Sequence, residues 1–219
     1  MTVALDSEQG RRMLMESEGI AACLRLLEHF VTQDMPTYCG PASAAMALNA
    51  MGLKRPSLPT HPGYQLFTQA SLFNSDFEPR PHRPSIEKRG ASLAEFVSWF
   101  EPWGVHAEAR YGNTLSLDAL REVLHNGLHE EGAALVANYY RPCIGQQGYG
   151  HFSPIGAFHR ETDSFLLLDV ARYRYPPVWV SLKPLHRALC EADTESGKAR
   201  GIAHLFKTSD CLMNHRSEG

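Results

Sequence analysis

Cys39 has the surroundings of a nucleophile, in the stretch Gln33-Asp-Met-Pro-Thr-Tyr-Cys39-Gly-Pro-Ala-Ser-Ala-Ala-Met-Ala-Leu-Asn49. The small and apolar residues Ala42, Ala44, Ala45, Met46, Ala47 and Leu48 predict a helix without a polar face. Pro41 fits its first turn, where a missing N–H goes unused in any case. Cys39 then lies at or just before the helix N-terminus, whose partial positive charge favours thiolate over thiol. A free cysteine beside a run of alanines is more often packing than chemistry. Gln33 shifts that balance: it sits upstream across a turn at Pro36, and its side-chain amide with the Cys39 backbone N–H makes the donor pair of an oxyanion hole.

A thiolate needs a proton partner, and two later stretches offer one. His151 follows the glycine-rich loop Gly145-Gln-Gln-Gly-Tyr-Gly150 and opens the strand-like run His-Phe-Ser-Pro-Ile-Gly156. Asp169 ends the apolar run Phe165-Leu-Leu-Leu-Asp169, where a buried carboxylate requires a partner. The turn Arg160-Glu-Thr-Asp-Ser164 separates the two runs. If they pair as a hairpin, facing residues have numbers summing to about 323 or 324, and His151 lies opposite about Arg172, close to Asp169. Cys39 is then a nucleophile, His151 its acid–base partner, and Asp169 the group that orients the imidazole. A His and an Asp satisfying each other structurally is the competing reading. His159 competes for the aspartate but lies beside the turn, at the far end of its strand.

The elements that must position these groups read as an α+β domain, helices first and strands later. Ser7 to Phe30 has the spacing of one amphipathic helix, with Met13, Ile20, Leu24, Leu27 and Phe30 on one face. Lys54 to Pro84 is rich in proline and predicts an irregular segment with a short helix near Leu66–Phe73. Ser92 with Glu95 is a capping box for a helix Leu93–Trp103, and Ser116 caps Leu117–His129. Ala133–Tyr139, Ser153–His159, Phe165–Val170 and Gly201–Phe206 predict antiparallel strands, and Leu182–Cys190 a last helix.

A 219-residue chain with 43% apolar residues predicts a single domain over 1–219, with its ordered core from about Ser7 to Lys207. A net charge of −3 gives no electrostatic case for nucleic acid or an anionic membrane surface. No segment reaches the roughly 20 apolar residues of a membrane helix. The N-terminal residues lack the pattern of a signal peptide, so a cytoplasmic location is expected. The five cysteines (Cys23, Cys39, Cys143, Cys190, Cys211) are scattered and include no C-x-x-C pair, which argues against a disulfide framework, a structural zinc site or any metal-ligand cluster.

The sequence resembles the phytochelatin synthase family, especially its short prokaryotic members. The matching words are Gln33-x-x-Pro-x-Tyr-Cys-Gly-x-Ala-Ser, Leu-Asn-Ala at 48–50, Gln-x-Gly-x-Gly-His-Phe-Ser-Pro-Ile-Gly at 146–156, and Leu-Asp-Val-Ala-Arg-Tyr-x-Tyr-Pro-Pro-x-Trp-Val at 168–180. Leu66-Phe-Thr-Gln69 is similar to the prokaryotic branch. The resemblance implies a papain-like cysteine peptidase fold and dipeptidyl transfer on glutathione. It carries the family's catalytic cysteine, histidine and aspartate onto Cys39, His151 and Asp169, and its oxyanion glutamine onto Gln33. The implied reaction cleaves the Cys–Gly bond of glutathione, holds a γ-glutamylcysteinyl thioester, and passes it to water or to a second glutathione.

Glutathione carries carboxylates at both ends, so its pocket needs fixed cations. Arg172, just past the Asp169 strand, and Arg141, before the glycine-rich loop, are the candidates. Tyr38, Gly150 and Tyr175 complete the expected substrate site. No tightly bound cofactor and no protein-held metal are expected; Cd²⁺ or Zn²⁺ enters as a metal–glutathione thiolate substrate. The stretch Thr208–Gly219 holds only Cys211, so the Cys-rich C-terminal domain of the plant pattern is expected to be absent. A homodimer is left open as the assembly. Two other classes stand beside this reading: a papain-like peptidase or deamidase acting on a protein, and a catalytically silent thiol protein that binds metal.

Overall fold

The computed structural model describes residues 2–58, 61–73 and 80–207. Its frame is a seven-stranded antiparallel sheet in the spatial order β1-β8-β7-β6-β5-β9-β4. The strands are β1 (Thr2–Ala4), β4 (Val105–Tyr111), β5 (Ala134–Tyr140), β6 (Gly150–His159), β7 (Ser164–Leu167), β8 (Val178–Ser181) and β9 (Gly201–Lys207). β2 (Ser57–Leu58) and β3 (His61–Gln65) form a separate small hairpin.

The helices are α1 (Glu8–Met15), α2 (Ile20–Leu27), α3 (Cys39–Ala50), α4 (Arg83–Arg89), α5 (Leu93–Ser98), α6 (Leu117–His129) and α7 (Leu182–Cys190). Strand alternation sorts the core into two faces. Val136, Phe152, Leu166, Trp179 and Ala203 pack with α3 and α5, whereas Leu135, Ile155, Phe165, Val180 and Ile202 pack with α6 and α7. α3 can be apolar all round because it is enclosed all round: every residue from Cys39 to Asn49 is buried.

Several elements depart from the sequence reading. The amphipathic stretch from Ser7 is two helices, α1 and α2, because Gly19 takes a left-handed conformation (φ 75°) and Glu18 pairs with Phe158 of β6 instead of continuing the helix. The helix begun at Ser92 ends at Ser98 and resumes only as a 3₁₀ turn at Glu101–Trp103, since Pro102 cannot donate to the preceding turn. Among the described residues of the proline-rich segment only a 3₁₀ turn, Ser71–Phe73, answers the short helix expected near Leu66, while α4 forms with Pro84 in its first turn. β1, β4 and β8 of the large sheet escaped the sequence reading, as did the β2–β3 hairpin within the segment expected to be irregular; β1 and β4 are the two edge strands of the large sheet. Residues 208–219, with Cys211, lie outside the described residues. Among the described residues no helix is long and apolar enough to cross a membrane.

The β6–β7 hairpin sets up the site. His159 pairs with Ser164 and Phe158 with Phe165, sums of 323, and then an irregularity shifts the register so that Ile155 faces Leu167. Leu168 N–H still donates to Pro154 O (2.9 Å). The chain therefore runs on beside β6 as far as Asp169, next to the β6 end that carries His151.

Candidate active site

Three elements converge on one cleft. α3 begins at Cys39, with no backbone acceptor for the Cys39 N–H among the described residues, so the thiol meets the positive end of the helix. β6 begins at Gly150–His151, paired with Tyr140 and Tyr139 of β5. Beyond β7, Asp169 is fully buried, and Val170 O accepts from Gln33 N–H (2.9 Å), which ties the Gln33 segment to the same corner.

Cys39 and His151 act on each other's ionisation, and the Phe152 backbone and the Arg141 guanidinium also favour the thiolate. Burial is the largest single influence on both groups and opposes charge on each, yet their mutual attraction outweighs it. The thiol pKa is lowered by His151, Phe152 and Arg141, while the imidazole pKa is raised by Cys39 and Asp169. The pair is thus biased toward thiolate and imidazolium, the state in which the sulfur is nucleophilic and the ring holds a proton to give.

His151 Nε2 lies 2.9 Å from Asp169 Oδ1. The ring N–H is out of line with that oxygen and makes no well-aligned hydrogen bond among the described residues. Asp169 Oδ1 is turned toward other donors: it accepts from Arg141 Nη2 (3.0 Å) and Ala171 N (2.9 Å), and Oδ2 accepts from Arg141 Nη1 (2.7 Å). Burial pushes the carboxyl pKa up, but His151 and Arg141 together hold it well below the usual carboxylate range. Asp169 is therefore an anion against the imidazole, acting by charge at short range. Catalytic contacts often tighten only when a ligand closes the site.

The expected substrate residues divide. Gly150 lines the cleft, and its lack of a side chain is required: a Cβ there would stand 2.7 Å from Arg200 Nη2. Arg141 does not offer its guanidinium to a ligand; it is 4% exposed and committed to Asp169 and Gln146. Tyr175 covers that guanidinium, with Arg141 Cζ 5.0 Å from its ring centre and its hydroxyl accepting from Gln147 N (2.8 Å). Tyr38 is buried, its hydroxyl donating to Glu87 (2.9 Å) and its ring against Phe73. Arg172 is exposed and lies over the Phe30 ring (4.6 Å), beside a different cavity. Gln33 spends its amide N–H groups on Met35 O (2.7 Å) and Tyr173 Oη (3.2 Å), while its Oε1 has no partner among the described residues.

Around Cys39, His151 and Gly150 the cleft encloses 330 Å³ and is lined by charges of both signs that the sequence did not flag. Lys88 and Arg89 come from the end of α4, Asp193, Glu195 and Arg200 from the loop before β9, and the buried Asn138 from β5. Arg200 bonds the carbonyls of Glu191 and Ala192 and approaches Asp193 Oδ2 (3.4 Å), but its buried Nε is unpartnered among the described residues. Asn138 Oδ1 is likewise without a partner. No local motif marks residues 191–200; the only sequence hint is Gly150, whose missing side chain makes room for Arg200.

The phytochelatin synthase family model matches residues 1–202. Glutathione gamma-glutamylcysteinyltransferase 1 of Arabidopsis thaliana is 34% identical over 178 residues, covering 81% of this chain and 36% of the relative. The protein of the same name in Lotus japonicus is 32% identical over 199 residues (90% of this chain, 38% of the relative). The glutathione gamma-glutamylcysteinyltransferase of Schizosaccharomyces pombe is 31% identical over 211 residues (93% and 48%). The chain thus spans less than half the length of these relatives. The matched region takes in α3, the β6–β7 hairpin and the Arg200 side of the cleft, and so the chain belongs to the phytochelatin synthase family and has its papain-like α+β fold.

Proposed function

We propose that the cleft binds glutathione and that Cys39 cleaves its Cys–Gly bond as a glutathione gamma-glutamylcysteinyltransferase. The observation that carries this reading is the Cys39–His151 pair, whose pKa values are displaced in opposite directions at the mouth of one charged cleft. The names of the relatives supply the substrate class.

In the first half-reaction the Cys39 thiolate attacks the carbonyl carbon of the Cys–Gly bond. Negative charge moves onto the carbonyl oxygen, where the Cys39 N–H at the start of α3 is one donor. Gln33 is the second once Tyr173, 64% exposed and the weaker of its two partners, gives up its hydrogen bond. When the tetrahedral species collapses, the C–N bond breaks and glycine leaves with the proton from the His151 imidazolium. A γ-glutamylcysteinyl thioester and a neutral imidazole remain. In the second half-reaction His151 takes a proton from water or from the amine of a second glutathione as that group attacks the thioester, which restores the thiolate and the imidazolium. Asp169 stabilises the imidazolium and holds its ring in place.

Lys88, Arg89 and Arg200 set against Asp193 and Glu195 suit a peptide that bears two carboxylates and an ammonium group. Cd²⁺ or Zn²⁺ enters as a thiolate complex of glutathione and so acts through the substrate. The test is incubation with glutathione, with and without Cd²⁺, followed by mass analysis. Release of glycine with γ-glutamylcysteine or longer (γGlu-Cys)n-Gly products supports the proposal. Turnover only of peptides that lack a γ-glutamyl group points to a papain-like peptidase instead.

A further inference from the structure

At the far end of β6 from His151, the fold gathers three metal-ligand side chains that are scattered in the sequence. His125 and His129 are four apart on α6, so they share one face of the helix, and their ring centres are 4.4 Å apart. Glu18 joins them from the link between α1 and α2, and one ligand atom from each of the three residues lies within 4.8 Å of the others. We propose that Glu18, His125 and His129 form a binding site for a divalent transition-metal ion of the zinc type, completed by water.

The geometry favours an ion here in three ways. His125 Nε2 and Glu18 Oε2 are 3.0 Å apart, close to the roughly 3.3 Å edge of a tetrahedron whose metal–ligand bonds are about 2.0–2.1 Å. His129 Nδ1 is bonded to the carbonyl oxygen of His125 (2.8 Å), which leaves Nε2 as its ligand nitrogen and fixes the tautomer. The ligands also stand on rigid backbone: Glu18 N–H donates to Phe158 O (2.7 Å), Phe158 N–H donates to Glu18 O (3.0 Å), and both histidines belong to α6. Two histidines four apart on a helix with a nearby carboxylate is a ligand set that suits Zn²⁺ and Co²⁺.

The competitor is Arg160, which holds Glu18 through Nε (2.6 Å) and Nη2 (3.0 Å). Its side chain is 69% exposed, so this is a solvent-facing ion pair that an incoming dication can displace. Binding also requires the Nε2 proton that His125 shares with Glu18 to leave that nitrogen for Nδ1 or for solvent. The ion would clasp α6 to Glu18 and the end of β6. Phe158 and His151 lie seven residues apart on β6, about 23 Å of strand, so the clasp stabilises the fold without entering the Cys39 cleft. The inference is independent of the proposed reaction.

The test is Co²⁺ titration of the full, reduced chain, read by ligand-field absorption and by thermal unfolding. The expected result is saturation at a single equivalent, visible bands without a thiolate-to-cobalt band, and an unfolding midpoint that rises with Co²⁺. His129→Ala, at an exposed position, weakens binding by at least about tenfold, as loss of a ligand should. Arg160→Gln tightens binding, because the competing cation is gone. In both variants glycine release is unchanged. No ligand-field bands, bands dominated by a cysteine ligand, or an affinity that His129→Ala leaves unaltered would overturn the site.

Discussion

Arg141 grips Asp169 through both terminal guanidinium nitrogens, at 2.7 and 3.0 Å, in a buried ion pair that lies directly behind the His151 imidazole. Removing one partner of such a pair strands a charge in the interior, which typically costs about 3–5 kcal/mol. Arg141→Met is therefore expected to lower the unfolding free energy by about that amount and to abolish glycine release, with Arg141→Lys recovering stability better than turnover because lysine cannot match the bidentate geometry. Denaturant unfolding and turnover, measured on both variants, check this. Full activity in Arg141→Met would remove Asp169 and its partner from the mechanism.

The oppositely displaced pKa values of Cys39 and His151 predict a pH signature. A thiol with a lowered pKa stays thiolate below the pH at which ordinary cysteine protonates, and its reactivity is lost as pH falls through that lowered value. Alkylation of Cys39 by iodoacetamide, followed by peptide mass mapping, should thus persist to lower pH than alkylation of an ordinary cysteine. In His151→Ala the main lowering influence is gone and burial is opposed only by Phe152 and Arg141, so the profile should move to higher pH than in the parent protein. Identical profiles in the two proteins would contradict the ion pair.

Gly150 predicts how the Arg200 side of the cleft is built. A methyl group at this position would meet Arg200 Nη2 at 2.7 Å and Nε at 2.8 Å, while Arg200 is held by carbonyls of the 191–200 loop. Gly150→Ala should fold and should raise the KM for glutathione or lower kcat/KM at least about tenfold, the effect of roughly 1.4 kcal/mol at the transition state. Steady-state kinetics decide it. Unchanged kinetics would mean that Arg200 does not touch the substrate.

The α5 cap links stability to the cleft. Ser92 Oγ accepts from Glu95 N–H (3.3 Å), Glu95 returns to Ser92 N–H (2.8 Å), and the same carboxylate pairs with Arg89 on the cleft wall. Ser92→Ala should cost about 0.5–2 kcal/mol in urea unfolding, the usual loss for an N-cap. The Arg89 and Ser92 contacts pull the Glu95 pKa down to about 2 against the opposing effect of burial. Its contribution is therefore complete above the ordinary carboxylate pKa and disappears as pH falls toward 2. Urea midpoints in Ser92→Ala equal to those of the parent protein would show that the cap is not formed in solution.

What the sequence disclosed follows from where local signals were strong. α3 was legible because an unbroken small-apolar run can only be an enclosed helix, and α6 because Ser116 caps an amphipathic pattern. The meeting of His151 with Asp169 followed from hairpin arithmetic even though an irregularity shifts the register, since the shift is a single residue. Other features depend on partners distant in the chain. Val105–Tyr111 mixes charged and apolar residues because it is an edge strand, paired only with β9. Arg141 reads as a free cation until the fold folds Asp169 beneath it. The charged wall from 191–200 has no motif at all, and the Glu18, His125 and His129 group joins residues from two elements that only tertiary packing brings together.

In the proposed reaction Cys39 carries the γ-glutamylcysteinyl group as a thioester. The most direct measurement is intact-protein mass analysis after rapid acid quench of the chain with glutathione, with peptide mapping of the modified species. The expected result is a mass increase equal to one γ-glutamylcysteinyl group, located on the peptide containing Cys39, reversed by hydroxylamine, and absent in a folded Cys39→Ala variant that releases no glycine. Glycine release by Cys39→Ala, or an acyl group mapped to Cys23, Cys143, Cys190 or Cys211, would contradict it.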